Sequence, residues 1–113
     1  MLASNFRSYQ DVIIIDLLVE DLSVKNYAFH FAEKITQSQK LSVILNLDVN
    51  ITVTTSDMKC IEKLIQALKI TGCRVCICGL DPINVAVLVN FMQSFNGLTA
   101  LNIERAIDAL SVN

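Results

Sequence analysis

Three consecutive hydroxyls and a carboxylate, Thr54-Thr55-Ser56-Asp57, stand where an extended stretch hands over to a helical one. Two chemistries suit these residue types there. One is capping: Thr55 or Ser56 accepts a hydrogen bond from a backbone N–H that the first turn leaves unsatisfied, and Asp57 complements the positive end of the helix dipole. The other is modification. A phosphate on one of these hydroxyls would be held partly by the helix N-terminus and would add about two negative charges beside Asp57. A charge change at an exposed helix start can abolish docking of a partner without unfolding the domain.

The remaining candidates for chemistry are sparse. The single histidine, His30, lies between Phe29 and Phe31 on a helical stretch and reads as a surface or boundary residue. Three glycines cannot supply a phosphate-binding loop of either nucleotide type. The acids Asp48, Asp57, Glu62, Asp81, Glu104 and Asp108 show no spacing of an acid–base pair. Cys60, Cys73, Cys76 and Cys78 tempt a metal reading, but Cys73-Arg-Val-Cys-Ile-Cys78 is apolar, and strand alternation points Cys76 and Cys78 to one face. Structural zinc wants two ligand pairs on tight turns, and only Cys60 and a distant His30 remain. The cysteines are expected to be reduced and buried, with no metal and no cofactor. An enzyme is not expected.

Composition narrows the field further. The chain has 113 residues, enough for one domain (1–113), with residues 1–10 expected to be loosely ordered. Nine basic residues against eleven acidic ones give a net charge of −2. That is the wrong balance for nucleic acid or an anionic membrane surface, which need a clustered basic field. The longest uninterrupted apolar run, Val85 to Val89, is far too short to span a bilayer. The polar start, Met1 to Gln10, has no apolar signal-peptide core, so the expected location is the cytoplasm. Apolar residues make up 53% and charged ones only 18%, too few charges to cover a small domain's surface. Composition therefore leans toward a protein that assembles.

These candidates need a frame to hold them. Val12 to Val19 reads as a first buried strand, with no second, well-separated strand before the first helix. Asp21 or Ser23 can cap that helix, which runs to about Ser38 with Val24, Tyr27, Ala28, Phe31 and Ile35 on one face. Ser42 to Leu47 is a strand, followed by a short extended piece, Ile51 to Val53. The helix opened by the hydroxyl cluster buries Ile61, Leu64, Ile65 and Leu68 and stops at Gly72. Arg74 to Cys78 is a strand. Pro82 begins a helix through about Met92. Leu98 to Ala100 is a brief strand, and Asn102 caps a last helix, Ile103 to Leu110. Alternating strands and helices predict an α/β domain with a mixed sheet of four or five strands and about four helices.

With these elements laid out, the chain resembles a STAS domain, the fold shared by sulphate transporters and anti-sigma factor antagonists such as SpoIIAA. The carrying residues are the strand VILNL; the helix end Ala67-Leu-Lys-Ile-Thr-Gly-Cys73; the strand and turn Val75-Cys-Ile-Cys-Gly-Leu-Asp-Pro82; Val85 to Val89; and the tail Leu98 to Leu110. It is most similar to the RsbS type, the stand-alone scaffold of the stressosome, and to the STAS half of RsbR-type partners. The resemblance implies a non-enzymatic binding protein cycled by a kinase and a phosphatase. In the family the modified residue opens the second helix, 17 positions before the glycine that ends it, and counting back from Gly72 reaches Thr55.

Several positions depart from the family pattern. Thr54 stands where the family usually has Asp, and Asn46 where the preceding strand tends to carry Asp. Val87 stands where some relatives have a second phosphorylatable Thr, and Asp81 where the turn is often basic or neutral. The expected regulatory residues are Thr55, Ser56 and Thr54, with Asp57, Met58 and Asp81 on the partner-binding surface. Expected partners are RsbR-like STAS proteins and a serine/threonine kinase of the anti-sigma type, in a homo- or hetero-oligomer. The alternatives are a free anti-sigma factor antagonist acting as monomer or dimer, and a small module that binds an anion or nucleotide at Thr54 to Asp57.

Overall fold

A computed structural model describes residues 1–80 and 97–111. Asp81, Val87 and the helix expected from Pro82 to about Met92 lie outside the described residues.

Five strands form one sheet in chain order: β1 (Asn5–Tyr9), β2 (Val12–Asp16), β3 (Ser42–Asn46), β4 (Arg74–Cys78) and β5 (Leu98–Thr99). β1 runs antiparallel to β2, and the pairs from β2 through β5 are parallel, so the sheet is mixed as expected. The described helices are α1 (Tyr27–Ser38), α2 (Thr55–Ile70) and α3 (Ile103–Ser111), with a 3-10 helix over Val19–Ser23.

The central strands are apolar at nearly every position because both of their faces are covered. Ile13, Ile15, Val43, Leu45, Val75 and Ile77 point to one side, where Phe31 and Ile35 of α1 and Ile61, Leu64, Ile65 and Leu68 of α2 meet them. Val12, Ile14, Ile44, Cys76 and Cys78 point to the other, against Ala106 and Leu110 of α3. The stripe expected on α2 is fully buried. Gly72, at φ +90, ends that helix: the Gly72 and Cys73 amides donate to the Lys69 and Leu68 carbonyls at 3.0 and 3.1 Å. This is the double bond of a Schellman motif. At α3, Asn102 Oδ1 accepts from the Arg105 amide at 2.9 Å, the expected cap.

Two expectations fail at the N-terminal end. Residues 5–9 are not loosely ordered but form β1, joined to β2 through a tight turn in which Gln10 takes φ +52. Lys40 Nζ ties that turn down by donating to the Gln10 carbonyl at 2.7 Å. Nor does α1 start after Asp21 or Ser23. The 3-10 helix intervenes, and Asn26, at φ +60, precedes the first helical residue, Tyr27, leaving Val24 outside the helix. Asp21 is turned inward, 2% exposed, and accepts from the Ala3 and Ser4 amides at 2.8 and 2.7 Å and from Ser4 Oγ at 2.5 Å. Ser4 Oγ in turn accepts from the Leu18 amide at 2.9 Å. A carboxylate at this depth needs several donors, and the segment before β1 supplies them. Among the described residues, no helix is long and apolar enough to cross a membrane.

Candidate functional site

The first turn of α2 divides its work among four residues. Thr54, in extended conformation, is the N-cap: its Oγ1 accepts from the Asp57 amide at 3.1 Å, and Asp57 Oδ2 accepts from the Thr54 amide at 2.9 Å. This reciprocal pair is a capping box. Capping thus falls to Thr54, not to Thr55 or Ser56, and the carboxylate of Asp57 faces back toward the cap. Thr55 and Ser56 occupy the first two helical positions, exposed. Among the described residues no hydrogen bond engages either hydroxyl, so both are open to chemistry. The box also accounts for Thr54 standing where the resemblance led us to expect Asp, since either oxygen-bearing side chain can accept from the helix start.

Met58 does not belong to a partner surface. It is 2% exposed and packs into the core beneath α2, because it is the first inward position of the helical stripe. Val53, 4% exposed, anchors the chain on the other side of the hydroxyls. His30 is half-buried on α1, its ring edge-on to Phe29 at 5.8 Å.

Two asparagines fix the loop that joins β3 to α2. Asn46 is 3% exposed, and its Nδ2 donates to Asp16 Oδ1 at 2.9 Å and to Asp48 Oδ1 at 3.0 Å. A neutral donor is what this point requires. An aspartate there would set a third carboxylate against two others, the physical reason for the departure at this position. Asp16 is also paired with Arg7 at 3.1 Å. Burial alone would raise the Asp16 carboxyl, but hydrogen bonds from Arg7, Asn46 and Asn5 outweigh it and hold the group below the usual carboxylate range. Gly79, at φ +76, borders the network. A Cβ there would lie 2.7 Å from the Asp48 nitrogen and collide with Asn46 Oδ1. Asn50 does the second half of the fixing. It accepts from the Val19 amide at 3.0 Å and donates to the Leu17 and Leu47 carbonyls at 2.7 and 3.1 Å.

Sequence reading missed Asp16, Asn50 and the role of Asn46. Their partners lie about 30 residues away, and no local spacing signals such bonds.

The cysteines are free thiols: Cys73, Cys76 and Cys78 are buried and Cys60 is half-buried. Cys76 and Cys78 share a sheet face, as alternation predicts. Burial pushes the Cys76 thiol up to about 11 and the Cys78 thiol up to about 12. Such thiols are poor nucleophiles and poor metal ligands. No group of three or more His, Cys, Asp or Glu side chains among the described residues is placed to hold a metal ion.

Solved structures share this architecture. A serine-to-glutamate variant of RsbS from Moorella thermoacetica superposes with a TM-score of 0.78 at 15% identity, over 96% of this chain and 95% of that one. A chain from the structure entitled the molecular architecture of the stressosome, a signal integration and transduction hub, gives 0.81 at 15%, over 95% and 96%. The fold is that of the STAS domain. The anti-sigma factor antagonist SpoIIAA in its unphosphorylated form is also similar, at 0.64 and 16% identity, over 98% of this chain and all of that one. No family model matches the sequence, and no curated protein matches it. The STAS likeness extends over almost the whole chain, so the hydroxyl turn of α2 sits within the shared fold and not on an appendage.

Proposed function

We propose that this chain is a non-enzymatic scaffold or antagonist of a bacterial stress-signalling complex. It binds RsbR-like STAS proteins and a serine/threonine kinase of the anti-sigma type in the cytoplasm, and phosphorylation of Thr55 switches the binding. The observation that carries this reading is the division of labour at the start of α2. Thr54 and Asp57 satisfy the cap between them, which leaves Thr55 exposed with an unengaged hydroxyl at the positive end of a 16-residue helix. The free amides of the first turn favour an anion there. A phosphate would nonetheless add about two negative charges to a surface that already carries Asp57 and Asp48, so a partner docked on this end would be repelled. The STAS likeness to a stressosome chain and to SpoIIAA supports the class of partner.

The experiment is co-elution. The purified chain is mixed with an RsbR-like STAS protein, and separately with the anti-sigma-type kinase, and each mixture is run on gel filtration with light scattering. A scaffold elutes as a large particle with the STAS partner. A free antagonist, the second reading, stays small and joins only the kinase. Binding to neither would overturn the proposal.

A further inference from the structure

The loop over Asp48–Ile51 is built to protrude and to hold its shape. The Asn50 amide donates to the Leu47 carbonyl at 3.2 Å, so Asp48 and Val49 form the tip of a turn. Asn50 points inward with its three side-chain bonds, while Asn46 orients the Asp48 carboxylate from below. What remains outside is one carboxylate and two aliphatic side chains: Val49 is 43% exposed and Ile51 fully so. Asp48 makes no salt bridge among the described residues, since Arg7 is committed to Asp16. Arg7 feels the Asp48 charge but spends its hydrogen bonds on Asp16, and from residue 41 to residue 58 the sequence has no Lys, Arg or His. A preorganised apolar knob whose carboxylate makes no salt bridge among the described residues loses little freedom on docking.

The same chain carries a matching recess. Phe6, Ser8, Ile13, Lys34, Gln37 and Ser38 line an open groove of about 250 Å³ between β1 and the later half of α1. Phe6 and Ile13 give it an apolar wall and floor. Lys34 is the only charged residue in the lining, its Nζ held 4.6 Å from the centre of the Phe6 ring. Groove and knob are therefore opposite in charge and alike in apolar character. They lie on different parts of the surface, the knob beyond the C-terminal ends of the parallel strands and the groove along the β1 edge. Contacts between two different patches run head to tail, and they close into a ring or grow.

We propose that copies of this chain associate head to tail, with Asp48, Val49 and Ile51 of one copy seated in the Phe6–Lys34 groove of the next and Asp48 paired with Lys34. This goes beyond the phosphorylation switch and beyond the expected homo- or hetero-oligomer, because it names the two surfaces that meet and uses neither Thr55 nor a kinase.

Sedimentation velocity on the full chain, from micromolar to submillimolar concentration, tests it alone. The wild type should form species larger than a monomer as concentration rises. Asp48→Lys and Lys34→Asp should each weaken that association about tenfold or more, and Ile51→Ser should weaken it as well. The double exchange Asp48→Lys with Lys34→Asp should restore it. The three side chains changed are exposed, and circular dichroism verifies that each variant is folded. A wild type that stays monomeric throughout overturns the inference, as does assembly indifferent to both charge reversals or a double exchange that stays as weak as the single ones. A monomer that still co-elutes with an RsbR-like protein would remove this inference and leave the proposed function standing.

Discussion

Asn46→Asp replaces a donor with an acceptor at a buried point between two carboxylates. The native Nδ2 gives one hydrogen to Asp16 at 2.9 Å and the other to Asp48 at 3.0 Å, and the residue is 3% exposed. After substitution three carboxyls meet there. If all are ionised, like charges face one another at hydrogen-bond range. The cheaper alternative protonates the new group, which then donates to one neighbour and leaves the other without its bond. Holding a carboxyl neutral costs about 1.4 kcal/mol for each pH unit above its ordinary value of about 3.9, hence about 4 kcal/mol at pH 7. The lost hydrogen bond adds about 1 kcal/mol or more. The pH dependence has a definite sign. The new group's pKa is raised by folding, so the penalty is absent below about pH 4 and grows as pH rises toward the folded value. The stability gap between wild type and variant should therefore narrow by roughly 3 kcal/mol from pH 7 to pH 5. Urea unfolding followed by circular dichroism at pH 5, 6 and 7 measures it. Asn46→Ala, which loses both Nδ2 bonds and those that Oδ1 accepts without adding a titrating group, should show a deficit nearly flat over the same range. An Asn46→Asp loss below about 1 kcal/mol with no pH slope would refute the bridging role.

Four other substitutions or treatments separate neighbouring roles. Thr54→Ala should cost about 1 kcal/mol of stability through loss of the capping box, whereas Thr55→Ala should stay within about 0.5 kcal/mol; equal losses would mean that the cap is shared. Leu64→Ala, at a fully buried position facing the sheet, should cost about 2–5 kcal/mol in the same assay. A thiol reagent at pH 8 should modify Cys60 first in the folded protein, since Cys76 and Cys78 are buried and titrate at about 11 and about 12; reaction of all four at one rate would contradict the packing.

How much of this was legible depended on whether a residue's partner is local. β3, α2 and β4 announce themselves because their burial follows a fixed period, two in the strands and three to four in the helix. Gly72 marks the end of α2 because only its backbone takes φ +90 without strain. β1 hides because an edge strand with mostly exposed residues, Asn5–Tyr9, has no apolar run to betray it. The start of α1 hides for a similar reason: Asp21 has the chemistry of a cap, yet tertiary donors at Ala3 and Ser4 claim it. At the candidate site the hydroxyl cluster was visible. Which hydroxyl caps was not, because Thr54, Thr55 and Ser56 differ only in backbone conformation. Met58 was taken for surface although the phase of the α2 stripe puts it one turn before Ile61, where it continues the buried face.

The central claim is that Thr55 is the switch. The direct measurement incubates the chain with its anti-sigma-type kinase and ATP, maps phosphate by tandem mass spectrometry, and compares kinase binding before and after. Phosphate on Thr55 with weakened binding is the expected result. Thr55→Asp should mimic part of the loss, and Thr55→Ala should stay bound and unmodified. Absence of phosphate, phosphate on Thr54 or Ser56 instead, or binding that does not change on modification would contradict the claim.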